Sequence, residues 1–451
     1  MGSFFIGDLM YIENFNDSFY MERAIELAKK GIGHTKTNPL VGCVIVKDEE
    51  IIGEGAHLKF GENHAEVNAI EDAKSRGEDL NGATLYVNLE PCSHFGKTPP
   101  CANRIVEEGI KRVVIGTSDP FPKVSGGGIK ILEDAGISIT EGVCQEECLN
   151  LNESFFAYVK NNRPFVVLKS GMSLDGKIAT ESGESKWITS EFSRAYSHEL
   201  RGRLDAIMVG IGTVLADNPT LNVRHGKYRV NPIRIVTDSK LRIPLDAKLL
   251  SEDLESLAII ATTKNCDRKK LEKLKEMKNV EVLICHEKNN KVDLLDLMEK
   301  LKDYNISSIL LEGGRTLNAE MLKNNLVDKF YIFMAPILLG SKGIPAIGDL
   351  EIDALKDAIK IKDMKCEKLF DDILVTGRCD WNFYGNNRRS WKTGWHKKGK
   401  GPLHLKSFLQ KSFGRDKKGR LHCNKWRLFN CYRVWWWLLQ SWSHGWNNKF
   451  N

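Results

Sequence analysis

Apolar positions along this chain switch repeatedly between a two-residue and a helical period. Leu40–Val46 is a short β-branched apolar run, the pattern of a buried strand. Ala65–Ala73 changes to helical spacing, with Val67, Ile70 and Ala73 on one side. Thr84–Leu89 predicts a second strand. Pro100-Cys101 opens another helical pattern, with Pro at its start and Ile105 and Val106 apolar. Glu146–Lys160 is a mixed helical stretch, Asn161-Asn162-Arg163-Pro164 is a break, and Phe165–Lys169 predicts a strand. Beyond it, Ala206–Gly210, Ile233–Val236, Leu257–Ala261 and Ile309–Leu311 predict buried strands. Phe192–Arg203, Arg268–Met277 and Leu294–Leu301 predict helices. This alternation is that of two α/β units, the second with an at least partly parallel sheet. The boundaries it suggests are an extension at 1–18, a first domain at 19–150, a linker at 151–163, a second domain at 164–378 and a tail at 379–451.

Length agrees with that division, since 451 residues predict roughly two to three domains. Charge changes the picture more. The net charge is +7, but residues 379–451 hold 16 Lys/Arg against only Asp380 and Asp416. The other 50 basic and 57 acidic residues leave 1–378 at −7. Nine of the ten tryptophans also lie in the tail; only Trp187 lies outside it. No apolar run is long enough to cross a membrane. Met1–Phe15 lacks the basic start and cleavage pattern of a signal peptide and reads as an extension. The eleven cysteines form no dense framework, which points to a reducing, cytoplasmic setting.

The sharpest chemistry lies in the first unit. His64, Cys92 and Cys101 are three plausible zinc ligands, and Glu66 is a nearby carboxylate. Zinc takes imidazole nitrogen and thiolate, and a catalytic site leaves one tetrahedral position open. Zinc deaminases combine His-x-Glu with Pro-Cys…Cys, the Glu moving protons rather than binding metal. The predicted elements put His64 and Cys101 at helix N-termini, which favour thiolate over thiol. Cys92 follows a strand and can open a helical turn of its own. Eight residues separate the two cysteines where two are usual. Two plainer readings stand beside this one: a closed structural site completed by His94, and ordinary buried thiols.

Several segments of the second unit read as loops for cofactor or substrate. Lys169–Lys177 is too polar and Gly-rich for a strand alone. Gly183–Trp187 precedes an N-cap region, Gly212–Pro219 follows a strand, and Glu312–Thr316 lies between strand and helix. Glycines there let backbone N–H groups approach a phosphate, and Arg315 adds charge, although a glycine pair is more often a plain turn. No G-x-G-x-x-G follows the first strand, so an ordinary Rossmann site is not indicated.

Together these segments resemble the bifunctional riboflavin-biosynthesis deaminase–reductase family over about Phe19–Arg378. The resemblance rests on Thr37-Asn38-Pro39-Leu40-Val41-Gly42, His64-Ala65-Glu66-Val67, and Pro91-Cys92-Ser93-His94 through Pro99-Pro100-Cys101. In the second unit it rests on Ser173-Leu174-Asp175-Gly176-Lys177, Gly183–Thr189, Thr213–Pro219 and Glu312-Gly313-Gly314. The long cysteine gap is usual in that family. The resemblance implies a cytidine-deaminase-like three-layer domain followed by a dihydrofolate-reductase-like α/β domain. It implies zinc-dependent deamination of a diaminopyrimidinone ribosylamino phosphate, then NADPH-dependent reduction of its ribosyl to a ribityl side chain. By the same match, Glu66 is catalytic and His64, Cys92 and Cys101 hold zinc. Asn38, Ser185, Arg201, Leu221, Arg224 and Glu312 face substrate, the two arginines suiting a phosphate. Gly171, Trp187, Thr213, Asp217, Ser239 and a Gly314–Glu320 loop, with Gly314, Arg315 and Thr316 foremost, face NADP. The partner is a small molecule rather than nucleic acid or membrane, and the enzyme is expected to be a homo-oligomer. The rival reading is a zinc deaminase acting on nucleic acid through a basic tail; the −7 balance of 1–378 opposes it. A third, a deaminase with a degenerate second domain, is opposed by its intact segments.

The tail lies past that resemblance. It reads as a disordered basic extension, as a nucleic-acid-binding tail, or as an out-of-frame translation. Codons for Trp381–Lys392 and for Cys423–Cys431, shifted by one nucleotide, can spell stretches that resemble the start of riboflavin synthase. The last reading accounts for Trp435-Trp436-Trp437 best.

Overall fold

The computed structural model describes residues 17–93, 99–120 and 126–380, and the backbone of 414–415 and 421–422. The expectations for the extension before residue 17, for His94 and for most of the tail fall outside these residues. The chain divides into one unit of residues 1–381 and another of 382–451.

The first sheet is built from α1 (17–28), β1 (Gly42–Lys47), β2 (Glu50–Ala56), α2 (Ala65–Ser75), β3 (Thr84–Val87), α3 (Cys101–Glu107), β4 (Arg112–Ile115), α4 (Gly127–Asp134), β5 (Ser138–Glu141) and α5 (Gln145–Leu151). Its strand order is β2-β1-β3-β4-β5; β1 runs antiparallel to β2 and β3, and β3, β4 and β5 are parallel. Strand alternation sends Cys43, Ile45, Leu85 and Val87 to one face and Val44, Val46 and Tyr86 to the other. The first face buries Ala69, Ile70 and Ala73 of α2, Ile105 of α3 and Leu132 of α4. The second buries Met21, Ala24 and Leu27 of α1 and Cys148 of α5. That is the expected three-layer domain. Each fully buried Leu or Ile side chain in it contributes roughly 1.5–3 kcal/mol.

After α6 (Glu153–Asn161) the second sheet begins. Its elements are β6 (Phe165–Ser173), β7 (Lys177–Ala179), α7 (Glu191–Arg203), β8 (Ala206–Gly210), α8 (Ile211–Asp217), β9 (Ile233–Thr237), β10 (Ala258–Thr263), α9 (Arg268–Lys275), β11 (Val280–Cys285), β12 (Glu287–Lys288), β13 (Lys291–Val292), α10 (Leu294–Leu301), β14 (Ser308–Leu311), α11 (Arg315–Lys323), β15 (Lys329–Ala335), β16 (Ile344–Pro345), β17 (Ile361–Leu369) and β18 (Asp372–Cys379). The nine-stranded order is β11-β10-β9-β8-β14-β6-β15-β18-β17, with only β18 reversed, antiparallel to both β15 and β17. Ala206, Met208 and Ile309 face α10 and α11, whereas Ile207 and Val209 face α8 and α9. Helices α8 and α11 therefore leave neighbouring parallel strands for opposite faces. The carboxyl ends of β8 and β14 are therefore a switch point in the sheet, where the crevice of an open α/β sheet binds ligands.

Three expectations need correction. Lys169–Lys177 is not mainly loop: β6 runs on to Ser173, because full pairing with β15 outweighs its polar composition. Gly212–Asp217 lies within α8, and Arg315–Glu320 is the first part of α11 rather than a loop. Helix α6 fills most of the 151–163 linker, in line with the helical pattern of Glu146–Lys160. Asn152, buried between α5 and α6, accepts from Leu40 N (2.7 Å) and donates to Leu40 O (2.9 Å). The next residue, Glu153, pairs with Lys329 on β15 and Arg378 on β18. Ser307 Oγ also reaches Lys36 O at 3.1 Å, so the loop before Asn38 rests on the start of β14.

In the other unit, β19 (Gly414–Arg415) and β20 (Leu421–His422) pair antiparallel.

Candidate active sites

The first site forms where two helices begin. His64 is the N-cap of α2, and Cys101 is the first residue of α3, just after Pro100. Cys92 arrives from the end of β3 through irregular backbone at 91–93; the helical turn expected to start there would run on into 94–98, outside the described residues. His64 Nδ1 lies 3.3 Å from Cys101 Sγ and 3.6 Å from Cys92 Sγ, and all three donor atoms fall within 4.8 Å of one another. Cys101 N–H donates to Cys92 Sγ at 3.3 Å. Hydrogen bonds from Cys101, and then from His64, pull the Cys92 thiol down to about 4. The bond to Cys92 lifts His64 to about 9, and the hydrogen bond with Cys92, then burial, push Cys101 up. Protons are thus gathered around one point, as they are where a dication will displace them. Two thiols and one imidazole leave a fourth tetrahedral position, the donor set of a catalytic zinc site.

Glu66 faces the same point. It is buried, and burial pushes its carboxyl up to about 7. A carboxyl poised near neutrality can take a proton and return it within one turnover.

Neighbours that the motif did not reveal hold this geometry. His57 Nδ1 lies 3.0 Å from Asn63 O, and Nε2 lies 3.0 Å from Asn38 Nδ2. A carbonyl only accepts, so Nδ1 carries the proton and Nε2 accepts from the Asn38 amide. That fixes which way the Asn38 amide points. Glu90 is buried beneath Pro91-Cys92 and accepts from the N–H groups of Asp119, Gly126, Gly128 and Ile129. Gly55 lets β2 lie against α2: a Cβ there would meet Ala65 O at 2.2 Å.

The second site lies around the crevice between β8 and β14. Glu312 follows β14 and receives a two-pronged bond from Arg201 of α7, Nε to Oε1 and Nη2 to Oε2, both 2.9 Å. Lys169 Nζ lies 3.9 Å from Glu312. Burial pushes Glu312 up, but Arg201 and Lys169 outweigh it and hold the carboxyl at about 2. Burial lowers Lys169. Glu312 thus occupies the Nε/Nη2 edge of Arg201, which leaves only the other edge of the guanidinium for the expected phosphate. Lys169 was not singled out; its signal, a lone cation in an otherwise apolar strand, was present.

The other expected residues are spread around this crevice. Thr213 and Asp217 lie on α8, with Thr213 Oγ1 3.8 Å from where a Gly314 Cβ would be. Gly314 caps α11, whose first residues Arg315 and Thr316 are exposed. Asn318 on the same helix is buried, and its Oδ1 has no partner. A short glycine-lined approach, a helix start and an unpaired buried oxygen fit a polar dinucleotide. Gly171 in β6 leaves room for Thr189. Trp187 is 67% exposed, with the Arg194 guanidinium 4.4 Å from its ring centroid. Ser185 is half-buried in the same segment. Ser239 follows β9, but its hydroxyl accepts from Val292 N at 3.0 Å. Leu221 has a left-handed backbone (φ 55°) and a side chain in the core, so only its backbone can face substrate. Arg224 is exposed, near His198 of α7.

A His–Cys–Cys cluster with a buried carboxyl on a three-layer domain, followed by a parallel sheet with a ligand crevice, defines a zinc-binding pyrimidine deaminase joined to a reductase. Residues 15–117 match the cytidine and deoxycytidylate deaminase zinc-binding region, and 164–375 match the RibD C-terminal domain. The chain is 49% identical to the riboflavin biosynthesis protein RibD of Actinobacillus pleuropneumoniae over 360 residues, covering 80% of this chain and 94% of that protein. It is 45% identical to that of Aquifex aeolicus, covering 80% and 97%. Among solved structures it resembles Acinetobacter baumannii RibD (TM-score 0.71, 38% identity, 81% of this chain and 99% of that one). It equally resembles the Thermotoga maritima diaminohydroxyphosphoribosylaminopyrimidine deaminase/5-amino-6-(5-phosphoribosylamino)uracil reductase (TM-score 0.71, 39% identity, 81% and 99%). The chain belongs to the RibD family.

Proposed function

We propose that this chain carries out two successive steps of riboflavin biosynthesis: hydrolytic deamination of a diaminopyrimidinone ribosylamino phosphate, then reduction of the ribosyl to the ribityl side chain. The observation that carries the reading is the juxtaposition of three zinc donors with the buried Glu66 carboxyl. His64, Cys92 and Cys101 would hold zinc, which supplies Lewis acidity and makes water nucleophilic near neutral pH. Asn38, its amide oriented by His57, would hold the pyrimidine. Glu66 takes the proton of the attacking water as the carbon–oxygen bond forms. It delivers that proton to the ring nitrogen, then takes the second proton from the added hydroxyl and passes it to the departing amine, so the carbonyl forms and ammonia leaves as the carbon–nitrogen bond breaks.

In the second step NADPH supplies a hydride. Thr213, Asp217, the α11 start at Gly314–Thr316, Gly171 and Trp187 would position it, with Ser239 donating its hydroxyl proton, which the bond it accepts from Val292 N leaves free. Glu312, kept anionic by Arg201 and Lys169, can only accept hydrogen bonds and suits the sugar hydroxyls. Ser185, Arg224 and the backbone at Leu221 would complete the substrate site.

We further propose a free small-molecule substrate, a cytoplasmic setting and a homo-oligomer. The −7 balance of residues 1–378 supports the first against nucleic acid. No described helix is long and apolar enough to cross a membrane. The tail at 379–451 we take as an out-of-frame translation; independent reads with an unbroken frame through codon 379 would reject this. The enzymatic reading is tested with the purified full chain, zinc and NADPH, following ammonia and nicotinamide absorbance together. Ammonia release before and without NADPH, and NADPH oxidation only after it, is expected. Ammonia release with no NADPH oxidation under any condition would leave a deaminase alone.

A further inference from the structure

Because Glu312 occupies the fork of Arg201, Arg224 needs another partner if it is to hold an anion. The residue beside it is His198, one turn before Arg201 on the same side of α7. His198 is buried, and its Nδ1 accepts from the backbone N–H of Arg224 at 3.3 Å. Burial, then Arg201 and Arg224, press its imidazole down to about 4, so the ring is neutral at physiological pH. A neutral imidazole carries one proton, and an Nδ1 that accepts leaves it on Nε2. Nε2 lies 3.5 Å from Arg224 Nη2. Both groups are donors, so this close pair is not a hydrogen bond. Two N–H groups that converge without an acceptor of their own are the geometry of an anion site. The His225 ring stands edge-on 5.4 Å from His198, and Arg229 Nη1 bonds Arg224 O at 3.3 Å, so the loop presenting Arg224 is braced on both sides.

We propose that His198 binds the substrate's phosphate monoester, donating through Nε2–H next to the Arg224 guanidinium. This rests on the reading of the crevice as the reductase site. His198 thereby has two tasks on two nitrogens: Nδ1 holds the Arg224 backbone, and Nε2 meets the ligand. Arg201 fixes Glu312 through Nε and Nη2.

Side-chain amides separate those tasks in the full-length enzyme. Asn at 198 can keep the acceptor near Nδ1 but lacks a donor at Nε2; Gln reaches the Nε2 position. KM and kcat of the reductase are measured with the phosphorylated ribosylaminouracil and with its dephosphorylated analogue, and thermal unfolding verifies folding. His198→Asn is expected to raise KM for the phosphorylated substrate roughly ten- to a hundred-fold, the size of one hydrogen bond to a charged group. kcat and the analogue's kinetics should change little, and His198→Gln should recover much of the loss. Wild-type behaviour of the Asn variant, or an equal loss on both substrates in either variant, overturns the proposal, because the ring would then only prop the loop. Arg224→Ala tests the underlying reading separately: if it spares the phosphorylated substrate, the phosphate is not bound here at all.

Discussion

The two sites are assembled in opposite ways. The first draws its His–Cys–Cys cluster and the buried Glu66 carboxyl from residues 64–101, placed by two helix starts and one strand end. The second collects side chains from β6, α7, α8, β14 and α11, and charge pairs rather than a single ion hold its centre. A metal site concentrates its information in a few ligands of fixed type and spacing. A crevice between diverging helices is a property of strand order, and its residues are ordinary until the sheet brings them together. Losses at the first site should therefore be abrupt and chemical, while losses at the second should be graded and partly structural.

The sharpest break in that comparison is Glu66→Gln. It removes the proton carrier but none of the donors, so deamination should fall by at least about 10²–10⁴-fold. Zinc content by mass spectrometry and NADPH oxidation on supplied aminouracil substrate should stay at wild-type values; loss of zinc would mean Glu66 is a ligand. Next is Arg201→Ala, which leaves the buried Glu312 carboxylate with only the more distant Lys169. Removing one partner of a buried pair costs about 3–5 kcal/mol, to be read from denaturant unfolding of the second domain. An Arg201→Ala/Glu312→Ala double variant should be no less stable than Arg201→Ala alone. If the double loss equals the sum of the single ones, the pair is not coupled.

Gly55→Ala should have a smaller effect, on the first site only. Its Cβ would strike Ala65 O at 2.2 Å and push α2, with His64 and Glu66, off β2. Overpacking of this kind costs about 1–3 kcal/mol; zinc affinity and deaminase rate should drop while the reductase keeps its rate. The smallest effect is a pH dependence at the second site. His198 has a folded value of about 4 against an ordinary 6.5. The stability from its neutral form is complete above pH 6.5 and is lost as pH falls through about 4. His198→Asn should flatten the unfolding midpoint across that interval, and an unchanged slope would assign the pH dependence to other groups.

These contrasts also explain what could be read in advance. Strands such as Ala206–Gly210 and helices such as Leu294–Leu301 were legible because burial on a sheet or helix face leaves a period. His64, Glu66, Cys92 and Cys101 were legible because zinc chemistry restricts residue type. Lys169–Ser173 was not, because its strand state comes from pairing with β15, far away in sequence. The helical state of Gly212–Asp217 and Arg315–Glu320 was hidden by glycines that in fact begin helices. The occupation of Arg201 by Glu312, 111 residues on, lies in no local pattern. His57, Glu90 and His198 were missed for the same reason: each acts by orienting another side chain or segment.

The junction at Asn152-Glu153 bears on how the two reactions share one chain. One residue is bonded to the backbone of Leu40, two residues after Asn38, and the next is paired with two strands of the reductase sheet. Such a joint is a strut rather than a tether. The joint braces the two sheets against each other through side chains on either side of it. The spacing of the two reactions is then as much an inherited trait of the enzyme as either catalytic pocket, and lengthening the helix that sets it would change the traffic between steps without touching a reacting group.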